Sequence, residues 1–222
     1  MNKDMHQFLA RLEREKPWDV LRIKKEVSPE FEIPAILQHV ELRRKDPVII
    51  FEKVRNLNGD LSPFPVVINL FGSRGRLADA LDSTVEKLPF DYLDREKEVP
   101  PVVIDKGKSR VKDVVQTGKA VDLFVIPFIT HHEMDLGPYI SAGTCWLKDP
   151  ETGWTNCAIL RVYVAGKQRL VVNFNPARHT NYIFQKYKRL GASIPMIIVI
   201  GHHPAFYMGS QTKHLVDEVN MI

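Results

Sequence analysis

The residues best suited to chemistry lie between Thr155 and His179, where polar side chains flank two apolar, β-branched runs. Asn156 stands near the start, Arg161 follows five residues later, and the pair Arg178-His179 closes the stretch. Arginine offers a planar fork of donors to a carboxylate or phosphate, and an asparagine oxygen suits a hard divalent cation. These residue types are the ones that would hold an anionic cofactor and a carboxylate substrate.

The two apolar runs predict a β-hairpin, with strands over 157–164 and 170–173 joined at residues 165–168. Residues five apart on a straight strand point to opposite faces. Asn156 and Arg161 therefore share a site only if Asn156 lies in the turn after Gly153 or a bulge re-aims one side chain. Spacing alone leaves open an edge-strand arginine and a turn asparagine. His179 is a candidate metal ligand, with a capping or solvent-facing histidine as the alternative.

The first hundred residues predict a small α/β domain. Apolar spacing predicts a helix over 6–16 that Pro17 ends, and a second helix with Ser28 as N-cap and Pro29 at the first helical position. Strands are expected over 20–23, 47–51 and 66–70, and a helical run over 77–81. Residues 82–101 are charged and read as irregular. We place a boundary near residue 110, which gives an N-terminal α/β domain over 1–110.

The second half predicts a β-barrel-like domain over 111–222. Strands are expected over 143–147, 157–164, 170–173 and 197–200. A helix over 180–190 is inserted between the last two, with Gly191 as its C-cap. The fold class is therefore a mixed α/β protein.

Three further motifs carry weaker signals. Residues 72–76 (Gly-Ser-Arg-Gly-Arg) precede a helix and could bind an anion, but a strand–helix turn with solvated arginines is favoured. Residues 131–135 (His-His-Glu-Met-Asp) lack the H-E-x-x-H spacing and read as a polar loop, with Asp135 a candidate for a site rim. Residues 201–205 (Gly-His-His-Pro-Ala) read as a tight turn with a close backbone approach and a helix start.

Composition excludes several classes of protein. The net charge is +4 and no nucleic-acid-binding motif accompanies it, so nucleic acid is not an expected partner. No apolar run approaches the ~20 residues of a membrane span, and the charged N-terminus is not a secretory signal. A cytoplasmic location and no membrane association follow as expectations. The two cysteines, Cys145 and Cys157, are expected to be reduced strand residues that face the core.

Several collinear segments together resemble the UbiD family of non-oxidative, reversible decarboxylases, which use prenylated FMN. The matching segments in the first half are 47–51 and 65–74. Those in the second half are 135–143 (DLGPYISAG), 148–153 (KDPETG), 156–161 (NCAILR) and 201–205 (GHHPA). They span most of the chain in the order that the family has.

The resemblance implies a role for each candidate residue. Arg161 would lie beside the substrate carboxylate as the catalytic residue, and Asn156 and His179 would ligate a metal ion. The backbone from Ala158 to Arg161 would contact the flavin. The implied cofactor-binding set is Asn156, Ala158, Ile159, Leu160, Arg161, Asn173, Phe174, Asn175, Arg178 and His179.

The resemblance also implies chemistry, cofactors and partners. The fold would be a small N-terminal α/β domain followed by a split β-barrel that is incomplete at its C-terminus. The reaction would remove CO2 from an aromatic or α,β-unsaturated acid, with prenylated FMN, Mn2+ or another divalent metal, and K+ as cofactors. A flavin prenyltransferase would supply the cofactor.

Family members extend further than Ile222. The absent part carries a glutamate metal ligand, the acidic proton donor and a domain used in oligomerisation. The chain is therefore expected to be the N-terminal part of a homo-oligomeric enzyme, or to have a second subunit that carries the C-terminal half. The alternatives are a non-catalytic flavin-binding or assembly subunit of a two-chain decarboxylase, and an ordinary FMN-binding split-barrel reductase.

Overall fold

The computed structural model describes residues 4–97, 99–105, 107, 109–212, 217 and 220. The chain is a mixed α/β protein whose described strands form three small sheets. The first sheet belongs to the first half of the chain and is covered by helices. The other two belong to the second half and enclose an apolar core between them.

The first sheet has the order β1 (Val20–Ile23), β2 (Val48–Phe51), β3 (Val66–Ile68). Strand β2 pairs in parallel with β1 and antiparallel with β3. Every residue of β2 is buried, as its unbroken apolar run predicts for a strand covered on both faces. The three predicted strands are confirmed, although β3 ends at Ile68 and not at Leu70.

Helix α1 (Met5–Glu15) covers one face of this sheet. Asp4 caps the helix, since its carboxylate accepts a hydrogen bond from the Gln7 backbone N–H at 2.8 Å. Phe8 and Leu12 are buried and pack against Ile50 of β2. Their spacing on one helix face predicts this helix, and its bounds differ from the expected ones by one residue at each end.

Helix α2 (Glu32–Glu41) covers the opposite face, but it begins later than predicted. Ser28 is not its N-cap, and Pro29 is not its first residue. The backbone at residues 29–31 instead pairs with Thr130. The N–H of Thr130 donates to the carbonyl of Pro29, and the carbonyl of Thr130 accepts from the N–H of Phe31, both at 3.1 Å. This long-range bridge holds the segment extended, and Phe31 then turns into the helix with a φ of +63°.

Two helices follow β3, and one of them was not predicted. Helix α3 (Arg74–Ala80) starts three residues before the expected helical run, because the Ser73 hydroxyl caps it by accepting from the Gly75 backbone N–H. Helix α4 (Leu88–Arg95) lies in the stretch expected to be irregular. It forms because buried Leu88 packs against α3 residues despite the charged residues around it.

The second half contains two antiparallel three-stranded sheets. One has the order β4 (Tyr139–Ile140), β7 (Val162–Gly166), β8 (Arg169–Val172). The other has the order β6 (Thr155–Ile159), β5 (Thr144–Lys148), β9 (Met196–Val199). The described strands do not close into a barrel.

The stretch 157–164 is two strands and not the single strand predicted. The backbone leaves β6 after Ile159 and enters β7 at Val162, which belongs to the other sheet. Leu160 is buried in the core and Arg161 is exposed at this break. The predicted hairpin is therefore confirmed for β7 and β8. The expectation that it also holds Asn156 is wrong, because Asn156 pairs within the neighbouring sheet.

Helices α5 (His179–Arg189) and α6 (Pro204–Gly209) complete the described elements. Gly191 follows α5 with a φ of +63°, as its predicted capping position requires. Gly201 has a φ of +89° before α6, which confirms the turn. The close backbone approach expected there is wrong, since a Cβ at Gly201 would meet no atom within 4 Å.

Two sequence expectations concern the solvent and redox environment. Cys145 and Cys157 form no disulfide and are buried in neighbouring strands, as predicted. Burial raises the pKa of the Cys145 thiol to about 11. Among the residues that the structure describes, no helix is long and apolar enough to cross a membrane.

Candidate functional site

Asn156 and His179 lie on elements that pack against each other. Asn156 is the second residue of β6, is 3% exposed, and pairs with Leu147 of β5. His179 is the first residue of α5, which packs on β5 and β6. Its ring meets Trp154 edge-on, with the ring centroids 5.3 Å apart. Trp154 directly precedes β6, so this contact places His179 near the start of the strand that carries Asn156.

The N-terminus of α5 is arranged to receive an anion. Arg178 occupies the N-cap position, and no side chain caps the helix within the described part of the chain. Asn175 shapes the turn before it, since its side-chain oxygen accepts from the Ala177 N–H and its carbonyl accepts from the Arg178 N–H. The buried Thr180 hydroxyl has no hydrogen-bond partner among the described residues. Free N–H groups and the helix dipole favour a phosphate or carboxylate here.

Arg161 lies at the break between β6 and β7, in a second group of polar residues. Burial lowers the pKa of His131, and the positive charge of Arg161 lowers it further, against the opposing effect of Asp135. The Asp135 carboxylate accepts hydrogen bonds from the backbone N–H groups of His131 and His132, at 3.2 and 3.0 Å. The loop is therefore ordered by Asp135, as the structural interpretation of these histidines expects.

Asn156 and Arg161 are five residues apart, a spacing that places side chains on opposite faces of a straight strand. The structure follows neither of the two arrangements that the sequence offered for bringing them together. Asn156 is not in the turn after Gly153, and the irregular register in this region lies at Val164 and Gly166 of β7. The change of direction comes from the strand break at residues 160–161. Asn156 therefore lies within β6, whereas Arg161 lies at the break before β7.

The remaining predicted cofactor-binding residues divide by exposure. Ala158 packs on the core, whereas Ile159 is 38% exposed at the end of β6. Phe174 lies over Phe184 of α5 with the ring centroids 5.1 Å apart, so its side chain is a packing group. Asn173 is exposed directly after β8, and its side chain is available to a ligand.

A buried ion pair, which the sequence reasoning missed, joins α5 to the turn before β6. The Lys186 ammonium lies 2.6 Å from the Asp149 carboxylate, and the two side chains are 4% and 1% exposed. Glu151 is also 2.9 Å from Lys186. These contacts, led by the hydrogen bond to Asp149, raise the pKa of Lys186. Burial raises the pKa of Asp149, but hydrogen bonds from Lys186 and two backbone N–H groups outweigh it and lower the pKa overall.

The donor chemistry fits a divalent cation in part. An asparagine oxygen and an imidazole nitrogen are both accepted by ions such as Mn2+. Across the described ranges, no group of three or more His, Cys, Asp or Glu side chains could hold a metal ion. Asn156 and His179 would therefore supply only two ligands to such an ion, and an anion at the α5 N-terminus would bring oxygen ligands of its own.

Anion binding by residues 72–76, the less favoured of the two interpretations, is not available to Arg76. This side chain is 1% exposed, and its guanidinium donates to the carboxylate of Asp19 at 2.5 Å. It also donates to the carbonyls of Asp46, Asn69 and Leu70. The alternative of a turn with solvated arginines is also wrong for Arg76, because the side chain is structural.

Family models match nearly the whole chain. The model described as the 3-octaprenyl-4-hydroxybenzoate carboxy-lyase N-terminal domain matches residues 10–96. The model for the Rift-related domain of the same carboxy-lyase matches residues 102–222. The chain belongs to the UbiD family. Its first half thus corresponds to the family's N-terminal domain, and Asn156 and Arg161 lie in the Rift-related domain.

Relatives and solved structures agree with this assignment. The anhydromevalonate phosphate decarboxylase of Methanothermobacter thermautotrophicus is 31% identical over 98% of this chain and 47% of its own length. The enzyme of that name from Methanosarcina mazei is 30% identical over 93% of this chain and 44% of its own length. This UbiD-family chain therefore spans about half the length of these relatives.

Two solved structures share the fold closely. An evolved dimeric form of HmfF from Pelotomaculum thermopropionicum, in complex with prenylated FMN, is 32% identical with a TM-score of 0.88. The match covers 99% of this chain and 50% of the HmfF chain. The vanillic acid decarboxylase of Sedimentibacter hydroxybenzoicus is 26% identical with a TM-score of 0.88, over 100% of this chain and 48% of its own.

Proposed function

We propose that this chain is the N-terminal part of a non-oxidative, reversible carboxy-lyase that uses prenylated FMN on an aromatic or α,β-unsaturated carboxylic acid. Its domains are taken as 1–110 and 111–222, the second forming part of a split β-barrel. The observation that carries the proposal is the junction at residues 160–161. In a chain of this family, the junction sets the exposed Arg161 between two neighbouring sheets, directly after the strand that carries the buried Asn156.

Each candidate residue then has a physical task. Arg161 binds and orients the substrate carboxylate through its planar donor fork, and the backbone from Ala158 to Arg161 lies along the flavin. Asn173 to Asn175 and Arg178 would contact the cofactor, and the N-terminus of α5 would receive its phosphate. Asn156 and His179 would hold Mn2+ or another divalent metal, and K+ would be a further cofactor. Prenylated FMN, when bound, takes up the electron pair that departing CO2 leaves.

The residues of this chain contribute binding and orientation. Arg161 offers its guanidinium to the substrate carboxylate. Burial lowers the pKa of His131, which disfavours a second positive charge beside Arg161. The acid that reprotonates the substrate carbon is expected in the part of the enzyme beyond residue 222.

The proposed partners and location follow from the same family. The names of relatives include both a phosphate-bearing acid and an aromatic acid, so both classes belong in a substrate screen. A flavin prenyltransferase would supply the cofactor. The C-terminal half would come from the same polypeptide or from a second subunit, in a homo-oligomeric or two-chain cytoplasmic enzyme. Two-subunit and dimeric neighbours support such an assembly.

The test uses the complete enzyme from its own source, with loaded prenylated FMN. Arg161→Ala is expected to lower CO2 release by at least ~100-fold while flavin binding persists. Arg169→Ala is the matched control, since Arg169 is an exposed β8 arginine outside the site. Intact turnover in Arg161→Ala would disprove the role of Arg161.

Native mass spectrometry of the same preparation tests the assembly. A longer chain or a tight second subunit, with the added mass of prenylated FMN and a divalent metal, supports the proposal. Ordinary FMN whose absorbance bleaches with NAD(P)H would favour the reductase alternative.

A further inference from the structure

The ion pair between Lys186 and Asp149 connects the two elements that carry the candidate metal ligands. His179, Ile183 and Lys186 are spaced by four and three residues, so they share one face of α5. Asp149 lies in the turn between β5 and β6, and its backbone N–H donates to the Trp154 carbonyl at 2.7 Å. The pair therefore ties the middle of α5 to the turn that leads into Asn156.

The ammonium of Lys186 is held from three directions. It lies 2.6 Å from Asp149, 2.9 Å from Glu151 and 4.6 Å from the centre of the Tyr182 ring. Asp149 is fixed in turn, because its carboxylate accepts from the backbone N–H groups of Glu151 and Thr152 at 2.8 and 3.1 Å. A shift of α5 by one residue is about 1.5 Å along its axis, which would break the 2.6 Å contact.

Stability alone does not explain this arrangement. Removing two charges from water is expensive, and a well-packed apolar pair often serves a fold equally well or better. A buried, fully partnered pair does specify one geometry, because any other placement of the helix leaves a charge buried without a counter-charge. The geometry that this pair specifies is the position of the α5 N-terminus relative to β6.

We propose that Lys186 and Asp149 act as positioning residues, which set His179 and the α5 N-terminus against Asn156 and thereby determine the affinity of the site for a divalent cation and the flavin phosphate. The inference rests on the proposed function, because it assigns a cation and a phosphate to that site. Lys186 lies seven residues, about two helical turns, from His179. It acts through the helix and contacts neither ligand.

The experiment separates positioning from stability with two variants of the complete enzyme. Lys186→Met removes the ammonium and leaves the Asp149 carboxylate uncompensated. The double variant Lys186→Met/Asp149→Asn removes both charges, while the Asn oxygen still accepts from the two turn N–H groups. Lys188→Met is the matched control, because Lys188 is an exposed lysine of the same helix.

Three quantities are measured for each variant: the thermal midpoint, the Kd for Mn2+ by electron paramagnetic resonance with FMN present, and deuterium exchange of the α5 amides. The double variant is expected to recover most of the thermal midpoint that Lys186→Met loses. It should still bind Mn2+ about 10- to 100-fold more weakly than the wild type, as losses of outer-shell groups do. Lys188→Met should stay within about twofold of the wild type.

The outcomes distinguish the inference from the proposed function. A folded double variant whose Kd for Mn2+ stays within about twofold of the wild type overturns the positioning role. If Lys186→Met does not fold, the double variant alone decides, and Lys186→Arg replaces it if both fail. If the wild type binds neither Mn2+ nor FMN, the proposed function fails. Deuterium exchange then decides. Faster exchange in the first turn of α5 in the double variant than in the wild type supports the positioning role of Lys186 and Asp149, and unchanged exchange overturns it.

Discussion

Arg76 is expected to be among the most costly side chains to remove from the first half of the chain. The proposed change is Arg76→Met, which keeps the length of the buried stem and removes the guanidinium. Four hydrogen bonds are lost, three to carbonyls and one to the Asp19 carboxylate. Arg76 is 1% exposed, so water cannot replace the guanidinium without opening the structure.

The size of the effect follows from these contacts. A hydrogen bond to a charged group contributes about 1.5–3 kcal/mol, and four would sum to about 6–12 kcal/mol, which is comparable with the whole stability of a typical domain. Asp19 is 18% exposed, so part of its lost contact is recovered by solvent. Breaking a buried ion pair from one side costs about 3–5 kcal/mol. We therefore expect Arg76→Met to lower the free energy of unfolding by that amount.

The assay is urea unfolding followed by far-UV circular dichroism. Arg74→Met is the matched control, since Arg74 is an exposed residue of the same helix and should change the free energy of unfolding by less than about 0.5 kcal/mol. Arg76→Lys keeps the charge but cannot reach all four acceptors, so an intermediate cost is expected. A cost below about 1 kcal/mol for Arg76→Met would refute the reasoning.

The same variant has an expected pH dependence. Burial already raises the pKa of Asp19, against the lowering effect of Arg76. Without the guanidinium this pKa rises further, so the folded state of Arg76→Met binds a proton more readily than the unfolded state. The stability deficit of Arg76→Met should therefore be largest near neutral pH and shrink as the pH falls.

Three further predictions concern buried groups. Gly143→Ala should cost about 1–3 kcal/mol in urea unfolding, because its Cβ would lie 2.7 Å from Ile140 and 2.9 Å from Ile198; a loss no larger than that of Gly75→Ala would contradict this. Burial lowers the pKa of His202 from 6.5 to about 4. The unfolded state therefore protonates His202 at a higher pH than the folded state does. The free energy of unfolding should fall by about 1–2 kcal/mol, after allowance for solvent screening, as the pH drops from 6.5 to about 4. A pH profile that His202→Gln leaves unchanged would exclude this cause. Both thiols should resist a disulfide reagent at about pH 8 until the protein unfolds, since both are buried; fast labelling of the folded protein would contradict their burial.

Local patterns in the sequence predicted most of the elements that position the site. The apolar run of β2, the β7–β8 hairpin and helix α5 each carry their signal within a few neighbouring residues. Strand β2 and helix α5 formed within one residue of the expected bounds, whereas the first strand of the hairpin begins only at Val162. Helix α4 was missed because its charged composition hides the few apolar residues that pack on α3.

The features that the sequence did not reveal depend on distant partners. The start of α2 is delayed by Thr130, about a hundred residues later in the chain. The break at residues 160–161 exists because β6 and β7 pair with different strands. Lys186 carried one available signal, since it recurs with Thr180 and Ile183 on the buried face of α5, where a lysine needs a counter-charge.

The segment that ends at the strand break at residues 160–161 limits the distance between two residues of the proposed site. Five residues separate Asn156 from Arg161, and such a length of chain spans at most about 18 Å. Under the proposed function, the metal ligand Asn156 and the carboxylate-binding Arg161 keep that limit on their separation for every substrate. Acids of different length can then differ only at the end that points away from Arg161, so substrate size is selected by residues outside this segment.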